Sequence, residues 1–326
     1  MKCLCCGKAF TENASPEEIG CGWHNACIKK FFGTKRLPEL DISESVLERL
    51  AIESIGKGYT VPGVQKKLSL HLTEEGEPRL TLVNYPTGYI LKPQTSDYTA
   101  LPEAEFLVMQ MARATKIRTV PFALLRTGSD DGQLAYITRR IDREGRGKKV
   151  ALLAMEDFCQ LENRLTVDKY KGSYERCAKV VATYSSAVGI DMAELFLRIA
   201  FSYAVGNSDM HLKNFSLIET KSGEGVYRLS DAYDMLPVNV ILPTDTEELA
   251  LTLNGKKRNI RRNDFLAFAE AAGIIPRSAE KMLDKIVSLR DTYISLCADS
   301  YLPDEMKDAL RALICRRTDA LKGKTE

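Results

Sequence analysis

The stretch at 192–205, "MAELFLRIAFSYAV", is apolar on nearly every side of a helix. A helix without a wet face belongs in the middle of a domain. It runs straight into "GNSDMHLKNFSL" at 206–217, which crowds aspartate, histidine, lysine and asparagine into one short loop. The pattern on either side of this pair differs. Between 56 and about 155, short runs partly alternate apolar and polar positions: "KLSLHL", "RLTLVN", "GYILKP", "FALLRT" and "LAYITRRI". Such alternation predicts strands of a small antiparallel sheet, turning at "EEGEP" and "GSDDG". A helix, "EAEFLVMQMARAT", opens just after Pro102. An earlier one, "SESVLERLAIES", is capped by Asp41 with Glu44 three residues on. Beyond 155 the apolar spacing turns helical. Ser173 caps "YERCAKVVATYSSAV", which stops at Gly189. The segment "VYRLSDAYDMLPV" and polar turns follow the loop, and helices run to the end. A β-rich half followed by an α-rich half predicts an α+β arrangement of two lobes.

Composition narrows the class. The 326 residues suffice for two core-bearing lobes and a small appendage. With 46 basic against 44 acidic residues, the net charge of +2 supplies no bulk field for nucleic acid. No apolar run is long enough for a membrane span, and Met1-Lys2-Cys3 does not open a signal peptide. The expectation is a cytoplasmic protein with reduced cysteines. Internal repeats and low-complexity tracts are missing from the sequence.

The cysteines are unevenly placed, and this divides the chain further. Cys3, Cys5, Cys6, Cys21 and Cys27 crowd the start, whereas Cys159, Cys177, Cys297 and Cys315 are scattered and read as small buried apolar residues. Gly33 and Pro38 mark a linker after the cluster. The expected division is a cysteine-rich head and linker at 1–40, a strand-rich lobe at 41–155 and a helical lobe at 156–326. Cys3 and Cys6, followed by Gly7-Lys8, match a zinc knuckle, and His24 and Cys27 supply a second pair at the same spacing. A Cys₃His set suits tetrahedral Zn²⁺ and leaves no open position, so the site would be structural. Cys5 and Cys21 are spare thiols that could substitute. The plainer reading is a reduced thiol cluster without metal.

Four further pieces carry chemistry: "GKGYTVPGVQKKLSL" at 56–70, Lys92 at the end of "YILKP", the 206–217 loop, and Asp234 in "LSDAYDML". Phosphoryl transfer needs a main-chain-rich loop over the phosphates, a strand lysine, a loop carboxylate for the acceptor proton and oxygen ligands for Mg²⁺. Asp209 and Asn214 have the five-residue spacing of a protein-kinase catalytic loop, and Asp234 offers a second metal carboxylate. The usual signatures are missing: no "HRD", no "DFG", no "GxGxxG", and no lysine after Gly58 and Gly63 to complete a P-loop. Taken singly, each piece has a bland reading. The loop could be polar with a satisfied histidine, Lys92 a solvated strand end, and Thr60 an ordinary β-region threonine. Glu103 and Glu105 could simply sit at a helix N-terminus, or one of them could pair with Lys92. "NGKKRNIRR" at 254–262 reads by default as a solvated basic loop, and Arg139, Arg140, Asp142 and Arg143 as an ion-paired strand end.

Together, "TVPGVQKKLSL", "YILKP", "RRIDR", "EDFCQL", "GNSDMHLKNFSL" and "AYDMLP" resemble the HipA-type serine/threonine kinases of bacterial toxin–antitoxin systems, in the family's order over roughly 56–240. The resemblance implies a two-lobed, protein-kinase-like fold and an ATP- and Mg²⁺-dependent reaction. Asp209 would be the catalytic base, and His211 would support the loop near the nucleotide phosphates. Asn214 and Asp234 would hold Mg²⁺, and Lys92 would contact the phosphates. Glu156 and Phe158 would offer main-chain groups to adenine. The loop with Val61, Gly63, Val64 and Gln65 would cover the phosphates, and Thr60 stands where the family carries an autophosphorylated serine. The implied substrate is translation machinery of the aminoacyl-tRNA synthetase class. The implied partner is a helix-turn-helix antitoxin, through which alone DNA would be met. Only about 55 residues precede Gly56, which resembles shortened members whose missing N-terminal subdomain is a separate small protein. A non-catalytic pseudokinase, a small-molecule or lipid kinase, and a zinc head that reads nucleic acid are the competing readings.

Overall fold

The computed structural model describes residues 1–40, 67–73, 77–82, 88–127, 133–145 and 150–323. Thr60, Val61, Gly63, Val64 and Gln65, and the helix expected at 43–54, lie outside the described residues. The chain forms two compact units, Met1–Phe106 with Val120–Val150, and Leu107–Thr119 with Ala151–Glu326.

The first unit is built on a six-stranded sheet. Its strands are β1 (Glu39–Leu40), β2 (Leu68–Leu72), β3 (Arg79–Thr81), β4 (Tyr89–Lys92), β5 (Phe122–Arg126) and β6 (Leu134–Arg139), in the order β1-β3-β2-β4-β6-β5. All neighbours are antiparallel except β1 with β3. Leu68, Leu70 and Leu91 are fully buried, as are Ala123, Leu124 and Ile137. The β-branched and aromatic residues of these short runs fit a pleated surface.

The cysteine-rich head belongs to this unit. Its helices are α1 (Pro16–Cys21), capped by Ser15 and Glu18, and α2 (Asn25–Phe32). The head occupies the outer edge of β5: the Leu4 carbonyl accepts the Leu124 N–H at 2.8 Å, and the Trp23 indole donates to the Leu124 carbonyl at 3.2 Å. Phe31 and Phe32 of α2 lie 5.9 and 5.3 Å from the Tyr89 ring on central strand β4. The chain then adds β1 at the opposite edge, opposite Arg79 and Leu80. Residues 1–40 therefore cap Leu124 of β5 at one edge of the sheet and supply the strand at the other.

Helix α3 (Leu101–Ala114) starts in the first unit, and its residues from Leu107 count with the second. The remaining elements are β7 (Arg143–Glu144), β8 (Ala151–Leu152), β9 (Met155–Asp157), α4 (Phe158–Leu161), α5 (Tyr174–Tyr184), α6 (Val188–Val205), β10 (Ser216–Glu219), β11 (Tyr227–Leu229), α7 (Val238–Ile241), α8 (Arg262–Ala271), α9 (Pro276–Ser288), α10 (Arg290–Ala298) and α11 (Asp304–Leu321). α6 is the centre of the second unit, buried continuously from Leu195 to Val205 and packed against α5, α9 and α11. Phe196 stacks on Phe268 and meets Phe265 edge-on, while Phe201 meets Tyr293. Each such side chain contributes about 1.5–3 kcal/mol by leaving water. The helical second unit also carries a three-stranded sheet, β11-β10-β9, whose strands are too short for alternation to announce them. Among the described residues, no helix is long and apolar enough to cross a membrane.

Candidate active site

The first unit holds a buried ion pair. Lys92, the last residue of β4, places its Nζ 2.5 Å from Glu105 Oε1 on α3, with the two side chains 5% and 0% exposed. The same ammonium lies 5.2 Å from the Tyr136 ring centroid on neighbouring β6, opposite Lys92 in register. A buried ammonium is stable only when paired. Of the two candidate glutamates the structure selects Glu105. Glu103 is not the partner, and burial pushes its carboxyl above the ordinary glutamate range.

In the second unit, α6 ends at Gly206, which adopts a left-handed φ of +74°. A Cβ there would lie 2.9 Å from Leu313, so both backbone and space call for glycine. The sharp exit lets the loop fold back as a self-bonded knot. Asn207 Oδ1 accepts the Asp209 N–H at 3.3 Å, and the Asp209 carbonyl accepts both the His211 N–H and Asn214 Nδ2 at 2.8 Å. The Tyr174 hydroxyl donates to the Met210 carbonyl at 3.0 Å. With its amide nitrogen committed, Asn214 has its oxygen as the hard donor for a cation. His211 is buried, and its Nε2 lies 4.0 Å from Asp209 Oδ1. The Asp209 side chain remains 41% exposed.

Asp234 has φ +60°, a conformation that aspartate adopts more readily than bulkier residues but that still requires support. The support is a set of buried polar groups on α6. Asp191 accepts the Leu229 N–H at 2.6 Å and the Ser185 hydroxyl at 2.7 Å, and pairs with Arg118 at 3.2 Å. Arg198, fully buried, pairs with Glu194 and donates to the Ser230 carbonyl at 2.7 Å. Tyr233, beside Asp234, bonds Ser216 Oγ at 2.6 Å and donates to the Lys213 carbonyl at 3.2 Å. One helix thus steers both the Asp209 loop at its end and the segment leading to Asp234. An arginine in the midst of an apolar run, at 198, is the sequence signal for this arrangement, because a buried charge must be paired.

Two features escape the sequence pattern. The first is Tyr170, whose hydroxyl donates to Asp209 Oδ1 at 2.5 Å. Burial, with the nearby Asp209 and Asp245 carboxylates, holds this phenol well above the ordinary tyrosine range, so it stays a donor. The second concerns the segment at 155–158. The Phe158 N–H is donated to the Phe215 carbonyl at 2.9 Å, and the Phe158 carbonyl accepts the Glu162 N–H at 3.0 Å. Glu156 stands opposite Leu217 in the β9–β10 ladder. Lys213 pairs with Asp157 at 2.6 Å and ties this segment to the loop. The basic stretch at 254–262 is largely ion-paired, through Lys256–Asp264, Lys257–Glu247 and Arg262–Asp284. Arg140 and Arg143 both pair with Asp142.

The head brings together Cys3, Cys6, His24 and Cys27, whose donor atoms all lie within 4.8 Å of one another. His24 Nδ1 is 3.4 Å from Cys6 Sγ and 4.0 Å from Cys27 Sγ, and the His24 N–H donates to Cys3 Sγ. The knuckle turns at Gly7, with φ +74°. Thiolates at a tetrahedral zinc stand about 3.8 Å apart, given Zn–S bonds of about 2.3 Å, so the donor set fits that ion. Burial first, then the neighbouring cysteine sulfurs, push the Cys27 thiol up. The Cys21 thiol instead donates to the Glu18 and Trp23 carbonyls.

Residues 59–292 match the family described as HipA-like C-terminal domain. A relative from Haemophilus influenzae is 24% identical over 78% of this chain and 79% of its own length. A second, Y4dM from Sinorhizobium fredii, is 30% identical over 66% of this chain but 54% of its own length, so the chain spans about half of that relative. Both carry the name "Putative kinase". Among solved structures, HipA of Shewanella oneidensis MR-1, in complex with HipB and operator DNA, superposes with a TM-score of 0.66 at 19% identity, covering 84% of this chain and 71% of that one. The kinase CtkA of Helicobacter pylori gives 0.50 at 13% identity, over 72% of this chain and 88% of that one. These likenesses show a kinase-like mixed α/β fold. The family match covers most of the chain, and the protein belongs to the HipA-like C-terminal domain family.

Proposed function

We propose that the protein is an ATP- and Mg²⁺-dependent serine/threonine protein kinase, the toxin of a toxin–antitoxin system. The observation that carries this reading is the loop in which Asp209 presents an exposed carboxylate while Asn214, five residues on, is locked to Asp209's own carbonyl. That arrangement holds a base and a metal ligand at fixed separation, as phosphoryl transfer to a hydroxyl requires. Asp209 orients the acceptor hydroxyl and takes its proton as the oxygen bonds to the γ-phosphorus and the bond to the ADP oxygen breaks. Lys92, held by Glu105, neutralises charge on the phosphates. Asn214 and Asp234 would hold Mg²⁺, which supplies charge neutralisation when bound. His211 stiffens the loop. Adenine lies against the segment at 155–158. Phe158 has committed both main-chain groups within the unit and Glu156 is paired with Leu217 in the β9–β10 ladder, so the base takes its contacts from the other groups of this segment. The loop with Val61, Gly63, Val64 and Gln65 covers the phosphates, and Thr60 is the autophosphorylation site.

The head binds one structural Zn²⁺ through Cys3, Cys6, His24 and Cys27. Substrates are proteins of the translation machinery, with aminoacyl-tRNA synthetases as the leading class. The HipA neighbour's complex with HipB and DNA supports a helix-turn-helix antitoxin as partner, and contact with DNA runs through it. The protein acts in the cytoplasm.

Phosphopeptide mass spectrometry after incubation with Mg-ATP tests the reading, beside an Asp209→Ala control. Phosphate on Thr60 in the parent alone is the expected result. Phosphate retained in Asp209→Ala would remove Asp209 from the role of base. Nucleotide binding without any transfer, to itself or to synthetases, would make the chain a pseudokinase.

A further inference from the structure

Asp209 already has a hydroxyl on it. The Tyr170 oxygen stands 2.5 Å from Asp209 Oδ1 and donates its proton to that carboxylate. A serine or threonine hydroxyl about to be deprotonated needs this same relation, a heavy-atom distance of about 2.6–3.2 Å to the base. The phenol is anchored for the purpose. Its ring stands edge-on to His211, with centroids 5.0 Å apart at 78°. The Lys169 ammonium covers the ring at 4.9 Å, and the Lys169 carbonyl accepts the Leu212 N–H at 3.2 Å, stitching this loop to the catalytic one. The tyrosine is nonetheless 42% exposed, and neighbouring Leu165 and Val167 are 72% and 81% exposed. Core packing therefore does not explain where the side chain sits. Its strongest directed contact is the one to Asp209.

We infer that Tyr170 occupies the acceptor position of the resting enzyme, and that an incoming hydroxyl must displace it to reach Asp209. This rests on the kinase reading and adds to it an acceptor-side gate. The gate keeps Asp209 Oδ1 bonded to the phenol, so that water must compete for that oxygen, which guards ATP against hydrolysis. It also makes a protein acceptor compete with an internal hydroxyl, so acceptors that bind weakly around the loop are turned away. Tyr170 is not assigned a share in the chemistry.

The test uses the full chain with Mg-ATP and no protein acceptor, so that water is the probe. Release of ADP is measured in the parent, in Tyr170→Phe and in the Tyr170→Phe, Asp209→Asn pair, with Mg-ATP affinity of each by calorimetry. Phenylalanine keeps the ring on His211 and removes only the hydroxyl, so loss of folding is not expected. Hydrolysis should rise roughly tenfold in Tyr170→Phe, the effect of releasing one hydrogen bond of modest net strength. Nucleotide affinity should stay within about twofold, and the rise should vanish in the pair; a merely structural tyrosine would not produce an increase that depends on Asp209. Unchanged or slower hydrolysis with normal Mg-ATP binding overturns the gate and leaves the kinase reading standing. Phosphate found on Tyr170 also overturns it, because the residue would then be an acceptor. Failure of all three proteins to bind Mg-ATP removes the kinase reading and the gate with it.

Discussion

Lys92 and Glu105 show how a single residue choice sets the energetics of the first unit. An ammonium 2.5 Å from a carboxylate, both nearly out of water, is stable because each cancels the other's desolvation. Glu105→Gln removes the nearest counter-charge and keeps the shape. We expect it to lower unfolding stability by about 3 kcal/mol and to weaken Mg-ATP binding. A double variant, Lys92→Met with Glu105→Leu, should recover most of the stability but not the binding. Urea melts and calorimetry on the three proteins check both statements; equal melting of parent and Glu105→Gln would remove the pair from the stability of the unit. The sequence offers Glu103 and Glu105 alike, because "EAEFLVMQMARAT" is apolar on too many sides for its phase to distinguish them. Asp209, Asn214 and Asp234 stand out as candidates in the sequence because phosphoryl transfer calls for particular residue types, with Asp209 and Asn214 at a kinase-like spacing. Tyr170 does not, since nothing in "TVDKYKGS" shows that its hydroxyl meets a carboxylate 39 residues away.

At the scale of elements, helix ends decide where functional loops point. α6 stops in a left-handed glycine, and the apolar run before it was enough to predict both the helix and its burial. The start of α8 is held by a side chain that lies just past the basic run at 254–262. Asp264 accepts from Lys256 at 2.7 Å, from the Arg261 N–H at 2.9 Å and from Asn254 at 3.0 Å. Burial alone would raise its carboxyl, but the Lys256 ammonium, the Arg261 N–H and the Asn254 amide hold it below the usual aspartate range. The folded state therefore binds this proton less readily than the unfolded chain. Its stabilisation is complete above the unfolded value of about 4 and is lost as pH falls through the lower folded value. Asp264→Asn should cost about 1 kcal/mol at neutral pH, as a lost helix cap does, and should lose less stability on acidification than the parent. Thermal melts between neutral pH and the acid limit decide this. Parallel curves would mean that Asp264 is not the group that titrates. Basic residues around it look like a solvated patch in sequence because their partners Asp264, Glu247 and Asp284 are supplied from outside the run.

At the scale of the molecule, the head and the sheet of the first unit are one structure. Five cysteines in the first 27 residues mark a candidate metal site, but not where the head docks. The docking bonds run from Leu4 and Trp23 to Leu124, through main-chain and indole groups that carry no pattern. The division of the chain was likewise hidden, since Leu107–Thr119 counts with the second unit although residues on both sides count with the first. If zinc organises the head, its removal should be felt at β5, far along the chain. Cys6→Ser removes a sulfur 3.4 Å from His24 Nδ1 and should abolish the metal. Cys21→Ser, whose thiol bonds the Glu18 and Trp23 carbonyls, should keep about one zinc per chain. Metal analysis with hydrogen exchange on both variants tests the coupling. Zinc-free Cys6→Ser should lose protection at the Leu124 amide, because the Leu4 carbonyl that accepts it is positioned by the knuckle. The second-unit helices should exchange as in the parent. Zinc retained by Cys6→Ser would show that another thiol completes the set. Full protection at Leu124 without metal would show that Trp23, Phe31 and Phe32 dock the head by apolar contact alone, leaving the metal to order only the knuckle itself.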